Sequence, residues 1–149
     1  MVGHSIKRLN DLTIRIPSLL SSISEKDFTY KASAEKWSKK EILGHLIDSA
    51  TNNHQRFVRL QFEQEPLISY NQNSWAQFSY HQTTPTDSLI KFWTTYNKYL
   101  IHIISEIPEK YYQNVCRLAN GDRVTLEFLI TDYVKHQEHH LKQIVNYNF

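Results

Sequence analysis

Cysteine and glycine are scarce in this sequence. Cys116 is the single cysteine among 149 residues, so the chain cannot form an intramolecular disulfide, which suits a reducing compartment. The three glycines leave no material for a phosphate-binding loop of the GxxxxGKS/T type. These two shortages exclude a disulfide-stabilised scaffold and a P-loop nucleotide-binding protein.

Long apolar runs and an excess of one charge are also missing. No apolar stretch approaches the ~18 residues of a membrane span, and the first residues lack the basic-then-apolar layout of a signal peptide. The 17 Lys and Arg residues nearly balance the 15 Asp and Glu residues, and they form no basic block. We therefore predict a cytoplasmic protein that binds neither nucleic acid nor membranes.

Histidine and aromatic residues are abundant by contrast, with eight histidines and a 13% aromatic share. A chain of this length can bury roughly 68–70% of its unfolded surface, which is enough for one hydrophobic core. We predict a single domain over residues 1–149.

Four segments have helical periodicity. The first has apolar residues at alternating spacings of three and four, and Pro17 within it predicts a kink or a restart. The second begins after Ser38, a plausible N-cap. The third opens at Thr84-Pro85, where Thr84 can cap and Pro85 suits the first turn. We expect Phe92 and Trp93 to be among its most buried residues.

The fourth segment begins near Thr125 and runs almost to the end of the sequence. Apolar residues, including Leu129 and Tyr133, lie along its predicted inner face, and His136 and His140 continue the same spacing. These histidines replace hydrophobic residues within the face that should meet the other helices.

Two connections stand out. Residues 61–83 form a long crossover between the second and third predicted helices, which lets these two helices run parallel, and the Trp75 and Phe78 region argues for packing with a short helical turn. Asn120-Gly121 is a tight-turn dipeptide that indicates a small hairpin.

The strongest chemical signal is the pair His136 and His140. Residues four apart lie on one face of a helix, so both imidazoles can bind one ion. Gln137 follows His136 where a metalloprotease has glutamate, and the pair alone is also compatible with hydrogen-bonded core or surface histidines. A third ligand must come from another helix. His45 is the candidate, although its stripe is also compatible with a solvated face.

Two motifs of this sequence resemble those of a known family. WSKKEILGHLIDSATNNHQRF followed by DYVKHQEHHLKQI is similar to the DinB/YfiT superfamily of metal-binding four-helix bundles, over about Leu12 to Ile144. The resemblance implies an all-α four-helix bundle with an up-down-down-up course. It also implies one divalent metal ion bound by His45, His136 and His140.

Several neighbouring residues have open roles. The family pattern does not include His139, which we assign to the surface or to contacts with a metal-binding histidine. Gln143 and Asp132 either orient a metal-binding histidine or are solvated. Asn52 and Arg56 follow His45 on one stripe and could hold an anionic thiol. The remaining histidines have no partner at ligand spacing and are predicted to be surface or packing residues: His4, His54, His81 and His102.

Three imidazoles leave coordination positions open, which is typical of a reactive metal site. Imidazole suits zinc, nickel, copper or iron, and we favour zinc or nickel. Several aromatic residues either form the wall of a pocket above the ion or belong to the core: Tyr70, Trp75, Tyr80 and Trp93.

Two function classes follow. The resemblance implies a metal-dependent enzyme, either an S-transferase that uses a low-molecular-weight thiol on an electrophile or a hydrolase that activates water. The alternative is a non-catalytic metal-bearing scaffold for dimerisation or stress response, which would need an exposed apolar helix face. A homodimer is compatible with both classes.

Overall fold

The computed structural model describes all 149 residues. The chain forms four long helices, two short helices, two short strands and two 3-10 turns. The elements in chain order are α1 (Val2–Ser21), α2 (Glu25–Thr29), α3 (Lys39–Arg59), α4 (Gln72–Phe78), α5 (Thr86–Glu106), β1 (Val115–Arg117), β2 (Arg123–Thr125) and α6 (Leu126–Ile144), with 3-10 turns at His81–Thr83 and Glu109–Tyr111.

The long helices form a four-helix bundle with an up-down-down-up course. Helix α3 packs against α5 and α6, and α1 packs against the same two helices. The N-terminal ammonium of Met1 lies 4.0 Å from Glu127 at the start of α6, so α1 and α6 run parallel. The predicted fold class is confirmed. No helix combines the length and the apolar character that a membrane span requires.

Local sequence explains where two of the long helices begin. Ser38 caps α3 by accepting a hydrogen bond from the Glu41 backbone N–H, while the Glu41 carboxylate accepts from the Ser38 N–H. This reciprocal capping box fixes the start of the helix that bears His45. Thr125 caps α6 with its side chain alone, by accepting a hydrogen bond from the Phe128 N–H.

Two helix boundaries differ from the sequence prediction. Helix α1 continues through Pro17 to Ser21, so the helix does not restart there. Helix α5 begins at Thr86 with Pro85 as its N-cap residue, and the Thr84 hydroxyl donates to the Tyr80 carbonyl instead of capping. Helix α1 stays continuous because Pro17 removes only one backbone donor, while the other backbone hydrogen bonds of the helix remain.

The hairpin and the short helix of the crossover form as predicted, whereas Phe78 is 64% exposed, so its predicted packing is wrong. Residues 61–83 contain α4 and the first 3-10 turn, and they return the chain so that α3 and α5 run parallel. Gly121, with a φ of 89°, lies in the turn between β1 and β2. Leu67 in the crossover bridges to Arg117 of β1, which attaches the two connections to each other.

The buried face of α5 corrects one prediction. Trp93 is completely buried, and its indole N–H donates to Gln137 Oε1 at 2.9 Å. Phe92 is 54% exposed, so its predicted burial is wrong. Helices α1 and α3 cover only the side of α5 that bears Trp93. Asn97, one turn after Trp93, is buried on the same side, and its Oδ1 accepts from the Tyr133 hydroxyl at 2.6 Å. Tyr133 and Leu129 face the interior as predicted.

Candidate metal centre

The bundle brings three histidines together between α3 and α6. His45 lies in the second turn of α3, and His136 and His140 lie one turn apart in the second half of α6. Because these two helices are antiparallel neighbours, the first half of α3 faces the second half of α6. The predicted set of three histidines therefore meets at one place, although its members come from opposite ends of the sequence.

The geometry of this cluster suits a single ion. The ring centroids of His45, His136 and His140 lie 5.0, 4.9 and 4.6 Å apart. One ring nitrogen from each histidine lies within 4.8 Å of the others, and the Nε2 atoms of His45 and His136 are 3.1 Å apart. Imidazole nitrogens on one tetrahedral zinc ion are about 3.3 Å apart, because each Zn–N bond is about 2.0–2.1 Å. The donor set therefore fits a divalent ion after small side-chain rotations.

The electrostatics of the cluster favour neutral imidazoles. Burial lowers the pKa of His45 to about 4 and that of His136 to about 3, and the neighbouring imidazoles add to both shifts. Burial also lowers the pKa of His140, while its hydrogen bond to Gln143 opposes that shift. Neutral imidazole is the form that binds a metal, so at neutral pH the three rings are already uncharged before an ion binds.

Two hydrogen bonds orient the rings. His140 Nδ1 lies 2.8 Å from the Gln143 amide oxygen, which can only accept, so the Nδ1 atom of neutral His140 carries the proton and Nε2 is free to bind an ion. His136 Nδ1 lies 3.3 Å from the Ser49 hydroxyl. Of the two roles left open for Asp132, the structure shows the solvated one, because Asp132 is exposed on α6 and makes no hydrogen bond through its side chain. Sequence spacing places Asp132 one turn away, but α3 supplies the nearer partner.

His139 lies at the outer edge of the cluster. It is exposed, its ring centroid is 5.0 Å from that of His140, and its Nε2 atom is 3.3 Å from the Gln143 amide nitrogen. His45 is 1% exposed, its Nδ1 atom is buried without a hydrogen-bond partner, and the Trp37 ring packs against it at 4.9 Å. His45 is therefore the most buried of the three histidines in the cluster.

The two residues predicted to hold an anionic thiol follow His45 along α3. Asn52 is buried, and its amide donates to the Asp48 carbonyl. Arg56 donates to Asn53 Oδ1 at 3.3 Å and to the Ile68 carbonyl at 3.0 Å. The Arg56 guanidinium has no carboxylate partner, and its Nε atom is buried without a hydrogen bond.

An open cavity of about 400 Å³ adjoins the cluster. Two of its lining residues contact the histidines directly: Trp37 packs on His45, and Gln143 bonds to His140. The full lining comprises Glu35, Lys36, Trp37, Ile42, Asn73 and Gln143. The cavity therefore offers an aromatic wall, amide groups and charges of both signs beside the histidines.

The structure also places the aromatic residues that were predicted to form either the core or a pocket wall. Trp93 belongs to the core, whereas Trp75 is 36% exposed and Tyr80 is 68% exposed. Tyr70 is half-buried, and burial raises its pKa. None of these four residues lines the cavity beside His45, where Trp37 provides the aromatic surface.

Sequence reasoning missed the role of His81. It was predicted to be a surface or packing residue, yet its Nε2 atom donates to Asp48 Oδ2 at 2.9 Å in the interior. The signal was present in α3, where Gly44 and Asp48 interrupt the apolar arc one turn apart. A charged residue within an apolar arc needs a partner, and a glycine there leaves room for one.

The other histidines outside the cluster agree with the prediction. His4 and His102 are exposed. His54 packs between two tyrosines of α5, and its Nδ1 atom lies 2.8 Å from the Tyr96 hydroxyl.

The family model of the DinB superfamily matches residues 9–144, so the chain belongs to the DinB superfamily. A relative from Halalkalibacterium halodurans, named "putative metal-dependent hydrolase", is 22% identical over 93% of this chain and 81% of the relative. Similarly named proteins from Bacillus cereus are 19% identical over 98% of this chain and 84% of their own length.

Solved structures have the same fold. YfiT from Bacillus subtilis, described as "a probable metal-dependent hydrolase with an unusual four-helix bundle topology", has a TM-score of 0.87 and 17% identity, and the match covers 96% of this chain and 83% of YfiT. A mycothiol-dependent maleylpyruvate isomerase has a TM-score of 0.78 and 16% identity, over 97% of this chain and 60% of the isomerase.

Proposed function

We propose that this protein is a metal-dependent enzyme in which His45, His136 and His140 hold one divalent ion. The observation that carries the proposal is the convergence of three neutral imidazoles, with one nitrogen of each within 4.8 Å of the others. Three nitrogen ligands leave coordination positions open for a substrate, as in catalytic sites and unlike closed structural sites. Imidazole ligands fit zinc or nickel.

The reaction class we favour is transfer of a low-molecular-weight thiol to an electrophile. When bound, the metal would lower the pKa of a coordinated thiol or water. A thiol coordinated in this way needs no general base, and the groups in contact with the three histidines are an amide, a hydroxyl, an indole and a further imidazole: Gln143, Ser49, Trp37 and His139. The fold is shared with a mycothiol-dependent isomerase, while the relatives named as hydrolases support water as the second choice.

The cavity beside the histidines is the proposed binding site for the electrophile. Trp37 offers an apolar surface for the apolar part of the electrophile, and Lys36 and Asn73 offer polar partners for its polar groups. Asn52 and Arg56 remain the proposed contacts for an acidic group of the thiol. Arg56 supports this role because no carboxylate pairs with its positive charge, and its buried Nε–H has no hydrogen-bond acceptor.

The test uses metal-free protein reloaded with cobalt or nickel. We expect a low-molecular-weight thiol to produce a thiolate-to-metal charge-transfer band, because soft thiolate binds these ions. Arg56→Ala should weaken a carboxylate-bearing thiol more than a neutral thiol, and Trp37→Ala should raise KM for the electrophile while the band persists. Loaded protein that gives no band with any thiol and turns over no electrophile would contradict the transferase proposal.

The non-catalytic alternative is a dimerisation scaffold, and one observation favours it. An aromatic strip lies on the outer face of α5 and α3, where Phe92 stacks on Tyr96 at 5.4 Å and His54 packs against Tyr99. Phe92 and Tyr99 are both more than half exposed. This is the exposed apolar face that a scaffold needs, and light scattering of wild type and Phe92→Ser tests it. A dimer that becomes monomeric in Phe92→Ser would support a homodimer through this strip, while a monomeric wild type would exclude it.

A further inference from the structure

Asp48 is the one acidic residue of this chain that is buried. It is 3% exposed and lies on α3 three residues after His45, so both project from the same side of the helix. Every other carboxylate side chain is partly or fully accessible to solvent. An ionised carboxylate in the interior is costly unless nearby groups stabilise its charge, so its position beside the histidine cluster needs an explanation.

Two residues at the end of the crossover fix the orientation of this carboxylate. His81 Nε2 donates to Asp48 Oδ2 at 2.9 Å, and the Ser79 hydroxyl donates to Asp48 Oδ1 at 3.3 Å. The imidazole of His81 lies directly on the α3 backbone, where a Cβ at Gly44 would be 2.1 Å from its Cγ atom. Asp48 therefore cannot rotate toward His45 without losing both partners, and it makes no hydrogen bond to the cluster.

The effect of Asp48 on the cluster is electrostatic. Three neutral imidazoles bring no negative charge, so a divalent ion bound by them would place two positive charges in a partly buried site. Asp48 is buried on α3 less than one helical turn from His45, so its carboxylate charge acts on the cluster through an environment that screens it less than water does. Asp48 thus favours positive charge at the position of the cluster.

We infer that Asp48 is the charge-compensating residue of the metal centre, held in place by His81 and Ser79 and acting on the bound ion through space. The inference rests on the proposed metal centre. Asp48 then contributes to metal affinity through its charge, without binding the ion itself. The same contacts also attach the crossover to α3, and a purely structural role would consist of those contacts alone.

Asp48→Asn separates the two roles, because asparagine keeps the shape, its Oδ1 can still accept from His81, and its amide NH2 can donate to the Ser79 hydroxyl oxygen, while the charge is lost. Zinc and cobalt affinities are measured by competition with a chromophoric chelator, together with the stability of the metal-free protein. We expect Asp48→Asn to weaken metal binding about 10–100-fold, the range typical of residues around metal ligands. The cobalt absorption bands should keep their shape because the three ligands are unchanged.

Ser79→Ala is the matched control, since it removes one hydrogen bond but keeps the charge, and it should bind metal nearly as tightly as wild type. If Asp48→Asn does not fold, Asp48→Glu and Asp48→Gln form a second pair of equal length, and the glutamate variant should bind metal more tightly. Equal affinities within either pair of charged and uncharged side chains would overturn the inference. Wild-type protein that binds no divalent ion would overturn the proposed metal centre as well.

Discussion

The Nε2 atoms of His45 and His136 lie 3.1 Å apart, although 91 residues separate the two histidines along the chain. Each nitrogen belongs to an imidazole that burial keeps neutral. His140 completes the cluster from the next turn of α6. Two antiparallel helices thus bring together donors that share no local sequence context.

Metal content provides the first test of this cluster. We expect purified wild type to bind about one divalent ion per chain and His140→Ala to lose most of it, because two imidazoles chelate more weakly than three. His139→Ala is the control, since this neighbouring histidine is exposed and lies outside the triad. Elemental analysis after dialysis measures both. Greater loss in His139→Ala than in His140→Ala would show that the α6 ligands are wrongly assigned.

The hydrogen bond between Gln143 and His140 provides a second test. Gln143→Leu removes the acceptor that holds the proton on His140 Nδ1, so we expect metal affinity to fall by about tenfold or more. Gln143→Glu keeps an acceptor oxygen at the same length and should retain most of the affinity. Chelator competition gives both values. If the leucine and glutamate variants bind metal equally, the amide does not orient the ligand.

The lowered pKa values predict how the stability of the metal-free protein depends on pH. In the unfolded chain His45 and His136 titrate near 6.5, whereas in the fold their pKa values are about 4 and about 3. Below pH 6.5 the unfolded state therefore binds more protons, so this contribution to the free energy of unfolding should be fully present above about pH 6.5 and fall as the pH decreases toward about 3.

Urea denaturation of chelator-treated protein across this range measures that loss. The double variant His45→Gln, His136→Gln removes both titrating groups and should show a shallower decline. A wild-type stability that stays constant or rises on acidification would mean that these imidazoles are not kept neutral by burial.

The contrast between adjacent residues of α5 can be measured as stability. Trp93→Ala removes a fully buried ring and leaves Gln137 without its donor, so we expect a loss of about 3–5 kcal/mol in the free energy of unfolding. Phe92→Ala should cost less than about 0.5 kcal/mol, as is usual for exposed positions. Equal losses in the two variants would place the buried face of α5 elsewhere.

Gly44 should not accept a side chain. A Cβ there would lie 2.1 Å from Cγ of His81, so Gly44→Ala must displace that ring, at a cost of about 1–3 kcal/mol in stability. Gly3→Ala in α1 is the control, because no atom lies within 4 Å of a Cβ at that position, and alanine there should stabilise the helix by up to about 1 kcal/mol. If the clash with the ring is the cause, Gly44→Ala should cost less in a His81→Ala background than in wild type, which a double-mutant cycle measures.

The sequence by itself determined the elements whose causes are local. Ser38 and Thr125 start their helices through bonds to residues three positions on, and Asn120-Gly121 makes the hairpin turn that its residue types favour. The spacing of His136 and His140 on one helix is local in the same sense. The up-down-down-up course and His45 as the third histidine came from the resemblance of two distant motifs to a family.

Only the tertiary structure decided which face of each helix meets which neighbour. The apolar arc of α5 includes both Phe92 and Trp93, and periodicity cannot tell them apart, because the choice depends on where α1 and α3 cover the helix. For the same reason Ser49 of α3, and not Asp132 one turn away, lies beside His136. The pairing of Asp48 with His81 arises where the crossover returns to α3, and a contact across 33 residues leaves no periodic trace in the sequence.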